Sequence, residues 1–195
     1  MSPNDSVVQT LSKNEYSKAG HYEVHGETIA KYEFFENGFN PYSRYLDVDK
    51  IDFILRRKEK SEIKYYEVQV KYGRLYRCKP AWERKIFDVT SWRFFKLNEF
   101  KNADQNLFLA YVLAEPEGYK GDIFIFPITY FHQLIQSAVR NNTKKGPQAK
   151  FCIAHCITNG RWYLWKRRNF TELSDENVVD VTEYRRGFSK IKSGS

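Results

Sequence analysis

Asp49-Lys50-Ile51-Asp52-Phe53-Ile54-Leu55 and Lys64-Tyr65-Tyr66-Glu67-Val68-Gln69-Val70-Lys71-Tyr72 are the two stretches on which the fold turns. Both are rich in β-branched and aromatic residues, which predicts strands over 51–55 and 64–72. In the second, alternation is strict. Tyr66, Val68 and Val70 share one face, while Tyr65, Glu67, Gln69 and Lys71 share the other, because strand side chains alternate with period two. The charged run 56–63 between them reads as a turn with a solvated tip, so the pair forms a hairpin. A polar strand face of this kind has to meet solvent, a covering helix or a functional site.

Working outward, Gly26 to Asn37 predicts a helix stopped at Asn37-Gly38, where glycine takes the left-handed conformation cheaply. Residues 1–19 read as a flexible lead, and Phe39-Asn40-Pro41-Tyr42 as extended chain. Beyond the hairpin, strands are expected over 106–114 and 122–126, then a helix over 129–139 capped by Thr129. Residues 141–150 (Asn-Asn-Thr-Lys-Lys-Gly-Pro at their start) form the clearest predicted loop and a candidate boundary. A second hairpin, 151–157 with 161–166, follows across Thr158-Asn159-Gly160, and a helical or irregular tail ends near Phe188. The expected fold is α/β: a mixed central sheet flanked by helices. It divides into the lead 1–19, a core over 20–140, and a β-rich C-terminal extension over 151–195 packed on the same domain.

The chain has 195 residues, 42% apolar, with fifteen Phe and fourteen Tyr. That aromatic content cannot stay solvated, which excludes disordered and collagen-like classes. No stretch approaches the ~20 apolar residues of a membrane span, and the start lacks a secretory signal. Three cysteines, Cys78, Cys152 and Cys156, are too few and too irregular for a disulfide framework. The expectation is a soluble cytoplasmic protein with no membrane partner. The net charge of +8 is concentrated: residues 56–101 carry fourteen Lys or Arg against six Asp or Glu. One basic stretch thus supplies the whole excess, and a polyanion is the matching partner.

The chemistry-bearing residues arrive in a fixed order: Glu27 in the first turn of the predicted helix, Asp52 in a strand, then Gln69 and Lys71 on the next. Phosphodiester hydrolysis uses such a set. Carboxylates hold a hard cation, usually Mg²⁺ and otherwise Mn²⁺, that neutralises phosphate charge and acidifies water. A neighbouring lysine orients that water or stabilises the pentacovalent transition state. Gly26-Glu27-Thr28-Ile29-Ala30, Asn37-Gly38-Phe39, Asp49-Lys50-Ile51-Asp52-Phe53 and Tyr66-Glu67-Val68-Gln69-Val70-Lys71, in that order, resemble the PD-(D/E)XK nuclease superfamily. The match is to small bacterial members with a Gln-x-Lys signature. The resemblance implies a restriction-endonuclease-like α-β-β-β-α-β core and metal-dependent cleavage of nucleic acid, most often DNA. By position it assigns metal binding to Glu27 and Asp52, the second acidic position to Gln69, and the catalytic lysine to Lys71. The motifs span residues 26–72, and the strand pattern continues to about Val139.

Two features depart from that pattern. Gln69 is a neutral amide where a carboxylate is usual, a weaker ligand through its oxygen; Glu67, on the same face, offers a charge nearby. Asp49 and Asp52 stand three apart and so face opposite sides of a strand, and Asp52, embedded among apolar residues, is the preferred ligand. The sequence therefore admits a DNA endonuclease, an enzyme acting on RNA, or a nuclease-fold module that binds nucleic acid or a partner protein without cutting. Cutting both strands of a duplex with one such site calls for two copies, which raises a homodimer.

Arg74, Arg77, Lys79, Arg84 and Lys85 follow Lys71 closely and read as phosphate contacts. Tyr76, Trp82, Phe87 and Trp92 are interleaved with them. Aromatics can stack on exposed bases, but these four are read as core. Arg161, Lys166, Arg167 and Arg168 form a second basic cluster. Cys152, His155 and Cys156 do not make a zinc site, since a strand turns the cysteines away from the histidine and paired ligand spacing is missing. His21 and His25 read as surface or capping residues flanking the helix start.

Overall fold

The computed structural model describes residues 18–43, 51–143 and 146–191, and the predicted hairpin lies at its centre. Strands β2 (Phe53–Glu59) and β3 (Glu62–Arg74) pair antiparallel from Phe53↔Val68 to Glu59↔Glu62. The charged run 56–63 is therefore strand on both sides of a tight turn at Lys60-Ser61 rather than a loose tip. Backbone pairing needs no apolar side chains, and charges pair across this end instead, with Lys64 Nζ 2.9 Å from Glu59.

Helix α1 (Lys18–Glu36) starts well before the expected Gly26, because nothing in Lys18 to His25 stops it. It still ends at Asn37-Gly38, where Gly38 has φ 82°. Strand β1 (Asn40–Ser43) edges β2. The chain then passes through β4 (Tyr76–Arg77), the short helix α2 (Ala81–Arg84) and β5 (Phe87–Lys96) before β6 (Leu107–Glu115) returns parallel to β3. Strand β7 (Gly118–Pro127) pairs antiparallel with β6. The result is a mixed five-stranded sheet ordered β1-β2-β3-β6-β7.

A parallel return needs a crossover of a dozen or more residues, commonly helical. Here the crossover carries β5 into a second, antiparallel sheet. Helix α3 (Ile128–Ser137) leads to β8 (Val139–Thr143), β9 (Gly146–Cys156), β10 (Trp162–Trp165) and β11 (Val178–Asp180). The second sheet is ordered β11-β10-β9-β5-β4, with β8 also on β9. The predicted loop over 141–150 is thus mostly strand among the described residues, and the strands within 151–180 complete a sheet that β4 and β5 begin. Pro127, without a side-chain cap, stands where Thr129 was expected to cap α3, because β7 runs directly into the helix.

The fold is α/β with mixed sheets and few helices. One face of the five-stranded sheet (Val68, Val70, Phe108, Ala110) packs on Ala30 and Phe34 of α1. Phe34 meets Phe39, Phe53 and Phe188 edge-on at 5.4–5.8 Å, the geometry the ring quadrupole favours. The other face (Leu109, Tyr111, Phe124, Phe126) packs on Phe95, Phe151 and Ile153 of the second sheet and Phe131 of α3. Helix α1 alone covers the first face, whereas the other takes the second sheet together with α3, where flanking helices alone were expected. Covered on both sides, β6 is apolar almost throughout. The segment around Arg186 is tied back onto α1 and β7. Arg186 reaches buried Glu33 of α1 with two hydrogen bonds of 2.9 and 2.8 Å, and the Tyr119 hydroxyl donates to the same carboxylate at 2.6 Å.

Candidate functional site

The site begins where β2 leaves β3. The last ladder pair is Phe53↔Val68, and Asp52 lies just beyond it, where β2 stops pairing with β3. Asp52 N–H still donates to the Val68 carbonyl at 2.9 Å. Its carboxylate then turns inward and accepts the Val70 N–H. Glu67 N–H donates to Asn106 on the β6 side, so by alternation the backbone groups of Val70 and Tyr72 point to the side that β2 has vacated. Both find substitutes for the missing strand. Asp52 takes the Val70 N–H, and Arg93 Nη1 of β5 donates to the Tyr72 carbonyl at 3.2 Å. An acid and a guanidinium thus frame a split strand pair with Lys71 between them.

Gln69, Lys71 and Gly73 project from β3 toward the second sheet. At Gly73 the sheets are nearly in contact, and a Cβ there would sit 2.6 Å from both Ser91 Oγ and the Tyr111 hydroxyl. Four residues earlier the layers have parted enough to hold a full side chain. Gln69 is 2% exposed, and its Oε1 is buried without a hydrogen-bond partner. An unsatisfied buried carbonyl of this kind costs about 1–3 kcal/mol. It lines a cleft of about 470 Å³ with Ile51, Glu67, Asn98, Glu99 and Asp104. Lys71 lines an adjoining cleft of about 380 Å³ with Glu23, Arg74, Tyr76, Trp92 and Arg93. Burial, and then the Arg93 charge, hold Lys71 below the usual lysine range, while Asp52, Glu99 and Glu23 pull the other way.

Glu27 lies in the middle of α1, not in its first turn. It is 3.9 Å from Lys31, whose ammonium lies over the ring of Phe53, the neighbour of Asp52. That places the Glu27 turn of the helix beside the Asp52 end of β2. The helix approaches β3 closely at Gly26, where a Cβ would come within 3.0 Å of Tyr72 Cβ. Tyr22 stacks on Tyr72 at 5.5 Å, and Arg74 caps Tyr22 at 5.1 Å. Glu23, one turn before Glu27, is the helical acid that lines the Lys71 cleft, and sequence reading missed it. The i, i+4 spacing of Glu23 and Glu27, once the helix is extended past Gly26, was the available signal. Asp49 lies outside the described residues.

Among the described residues no three His, Cys, Asp or Glu side chains gather closely enough to ligate an ion. The oxygen-bearing side chains around the split are the Asp52 carboxylate, which accepts the Val70 N–H, the partnerless Gln69 amide oxygen one residue before Val70, and Glu27 on α1, which pairs with Lys31. This set suits Mg²⁺, which keeps several waters and takes only one or two protein carboxylates beside substrate phosphate. A soft thiolate site is not available here, because Cys78, Cys152 and Cys156 are all free and buried. Burial pushes the Cys78 and Cys152 thiols up to about 12. His155 is taken by Asp88 at 2.9 Å, as expected of a histidine facing away from the cysteines.

Of the expected phosphate contacts, Arg74, Arg77 and Lys79 are exposed along the clefts that lead from Lys71, and Arg84 and Lys85 are exposed at the end of α2. Three of the four residues of the second basic cluster have local partners, Arg161 with Asp180, Arg167 with Glu176 and Lys166 with the Asp175 carbonyl, and Arg168 is exposed. The aromatics divide. Phe87 is core, and Trp82 packs on Trp165 and Phe170 at 5.1 and 5.2 Å. Tyr76 and Trp92, expected inside, are 49% and 46% exposed, because they sit on the outward face of a second sheet that the sequence pattern did not reveal. His21 and His25 are exposed within α1 rather than flanking its start. No described helix is long and apolar enough to cross a membrane. No family model matches the chain, and neither does any curated protein or solved structure.

Proposed function

We propose that the chain is a metal-dependent nuclease of the PD-(D/E)XK kind, acting as an endonuclease on DNA. The observation that carries this reading is the split between β2 and β3, where the Asp52 carboxylate holds the N–H of Val70, the residue between Gln69 and Lys71. The order of elements supports it: a helix bearing an acid, an antiparallel hairpin, then a strand parallel to β3. Asp52, Gln69 and Glu27 would hold Mg²⁺. The ion, when bound, supplies phosphate neutralisation and an acidified water. The protein's part is positional and electrostatic. Lys71 is anchored on a central strand, and its partly desolvated ammonium donates to the attacking water or to a non-bridging phosphate oxygen. Arg93 and Arg74, lining the same cleft, bind the flanking phosphates. A rigid sheet beneath these groups keeps the water, the phosphate and Lys71 in line.

The test is cleavage of supercoiled plasmid and of single-stranded DNA by wild type and Lys71→Ala, each in Mg²⁺, Mn²⁺ and chelator. Cutting that needs the metal and disappears in the variant supports the reading. Absence of cutting in every arm, with binding retained, refutes the catalytic step. Two observations favour a second reading, a binding module without cleavage: the neutral Gln69 and the lack of a three-acid cluster among the described residues. Calorimetric titration with Mg²⁺ separates the two, since a pure binding module takes up no ion at the split.

A further inference from the structure

Strand β5 presents Trp92 and Phe94 outward, on the side of the second sheet away from the core. They are 46% and 39% exposed and meet edge-on at 5.5 Å. Lys150 of β9, opposite Phe94 in the ladder, places its ammonium 4.9 Å from the Trp92 ring centre. Tyr76 of β4 extends the row and is 49% exposed. Large aromatics left in water at adjacent positions of a sheet call for a ligand.

The row is continuous with the site. Tyr76 and Trp92 line the Lys71 cleft and also a second cleft of about 420 Å³ on the outer face. The two clefts are lined by six cations, Lys71, Arg74 and Arg93 in one and Arg77, Lys79 and Lys150 in the other. Among the described residues that line them, two acids, Glu23 and Glu83, oppose these charges. A peptide partner would meet an unbalanced positive field here, whereas a polyanion with exposed aromatic faces is matched in both respects. Intact duplex buries its base faces and cannot use the rings. A single strand presents a phosphate and a free base at every step.

We infer that the Tyr76–Trp92–Phe94 face is a stacking platform for unpaired bases, and that nucleic acid reaches Lys71 as a single strand or at the single-stranded arm of a branch. Phosphates of that strand follow Arg77, Lys79 and Lys150, and one or two bases stack on Trp92 and Tyr76. This inference takes its catalytic end from the nuclease reading, but the platform itself does not depend on cleavage. It also removes the need for two copies, since one strand needs one site.

The test is fluorescence anisotropy of labelled dT20, rU20 and a 20-base-pair duplex, in chelator, with wild type, Trp92→Ala, Trp92→Phe and Lys79→Ala. Circular dichroism melts check that each variant folds. Base–aromatic stacking is worth about 1–3 kcal/mol per base, so Trp92→Ala should weaken single-strand binding about 5- to 150-fold. Duplex affinity should be unchanged, and Trp92→Phe should restore most of the loss. Lys79→Ala should weaken all three ligands and reduce the salt slope by about one. The dT20 and rU20 arms separate DNA from RNA as the source of the strand. Equal loss for single strand and duplex, or no loss for either, overturns the platform and leaves the nuclease reading standing. Selective loss with no cutting in any metal retains the platform and refutes the nuclease. Absence of single-strand binding by wild type refutes the platform, and the cleavage assay in metal then decides the nuclease reading separately.

Discussion

Replacing Gln69 with leucine should make the protein more stable and less able to respond to metal. The side chain is 2% exposed and its Oε1 has no hydrogen-bond partner. The fold therefore carries an unsatisfied carbonyl that costs about 1–3 kcal/mol. Leucine keeps a similar volume and removes that oxygen, so a net gain of about 1–2 kcal/mol is expected after some imperfect packing. For a domain of this size that is a rise in Tm of about 2–8 °C. The wild-type protein should make up the difference once an ion satisfies the oxygen. Binding at a hundred times Kd adds about 2.7 kcal/mol. The assay is a pair of calorimetric melts for each protein, in chelator and in saturating Mg²⁺. Gln69→Leu should melt higher than wild type in chelator and shift far less on adding Mg²⁺. A lower melting point in chelator would mean that the amide is a paired structural group. An undiminished Mg²⁺ shift would mean that the ion binds elsewhere, and either result refutes the assignment.

Other perturbations test the surrounding structure. Lys71→Met should abolish cleavage and raise stability at pH 7 by about 0.5–2 kcal/mol in urea melts, since burial disfavours its charge. Gly73→Ala should cost about 1–3 kcal/mol by overpacking against Ser91 and Tyr111, and a Ser91→Gly, Tyr111→Phe background should recover much of it in the same melts. Arg186→Ala leaves the Glu33 charge buried with only Tyr119. A broken buried pair costs about 3–5 kcal/mol, reduced here to about 2–3 because Arg186 is 44% exposed on its side chain; limited proteolysis should then release the C-terminal segment first. The raised Cys78 and Cys152 thiols stay protonated in the fold while the unfolded thiols ionise from about pH 9. Stability from this source is complete below pH 9 and falls as pH rises from about 9 to 12. Cys152→Ala should flatten that fall, read as Tm against pH.

The central hairpin was legible because strand alternation is a local property. Tyr66, Val68 and Val70 alternate with Glu67, Gln69 and Lys71, and the structure puts the first set on α1 and the second toward the other sheet. The stop at Asn37-Gly38 was legible for the same kind of reason, since glycine's left-handed φ is a property of one residue. The start of α1 was not, because Lys18 to His25 carry no stripe, and Gly26 reads as a break unless its close contact with Tyr72 is known. The candidate site divides likewise. Asp52, Gln69 and Lys71 were nominated by type and order, and Glu23 was within reach of helical spacing, whereas Arg93 and Glu99 enter the neighbourhood of Lys71 from elements that no spacing rule connects to it.

Tertiary packing alone decided the rest. The crossover from β3 to β6 reads locally as basic residues with interleaved aromatics, and no strand is expected there. It becomes β5 because β9, more than fifty residues later in sequence, offers a partner from Phe87↔Cys156 to Lys96↔Gln148. That pairing turns Phe95 into core and leaves Trp92 and Phe94 in solvent. Sequence by itself determined which segments alternate, where a chain can turn, and which residue types are able to hold a cation and a phosphate, because these follow from each residue and its near neighbours. Which face each strand buries, where β2 parts from β3, and what stands across the gap depend on contacts distant in sequence, and only the packed sheets settle them.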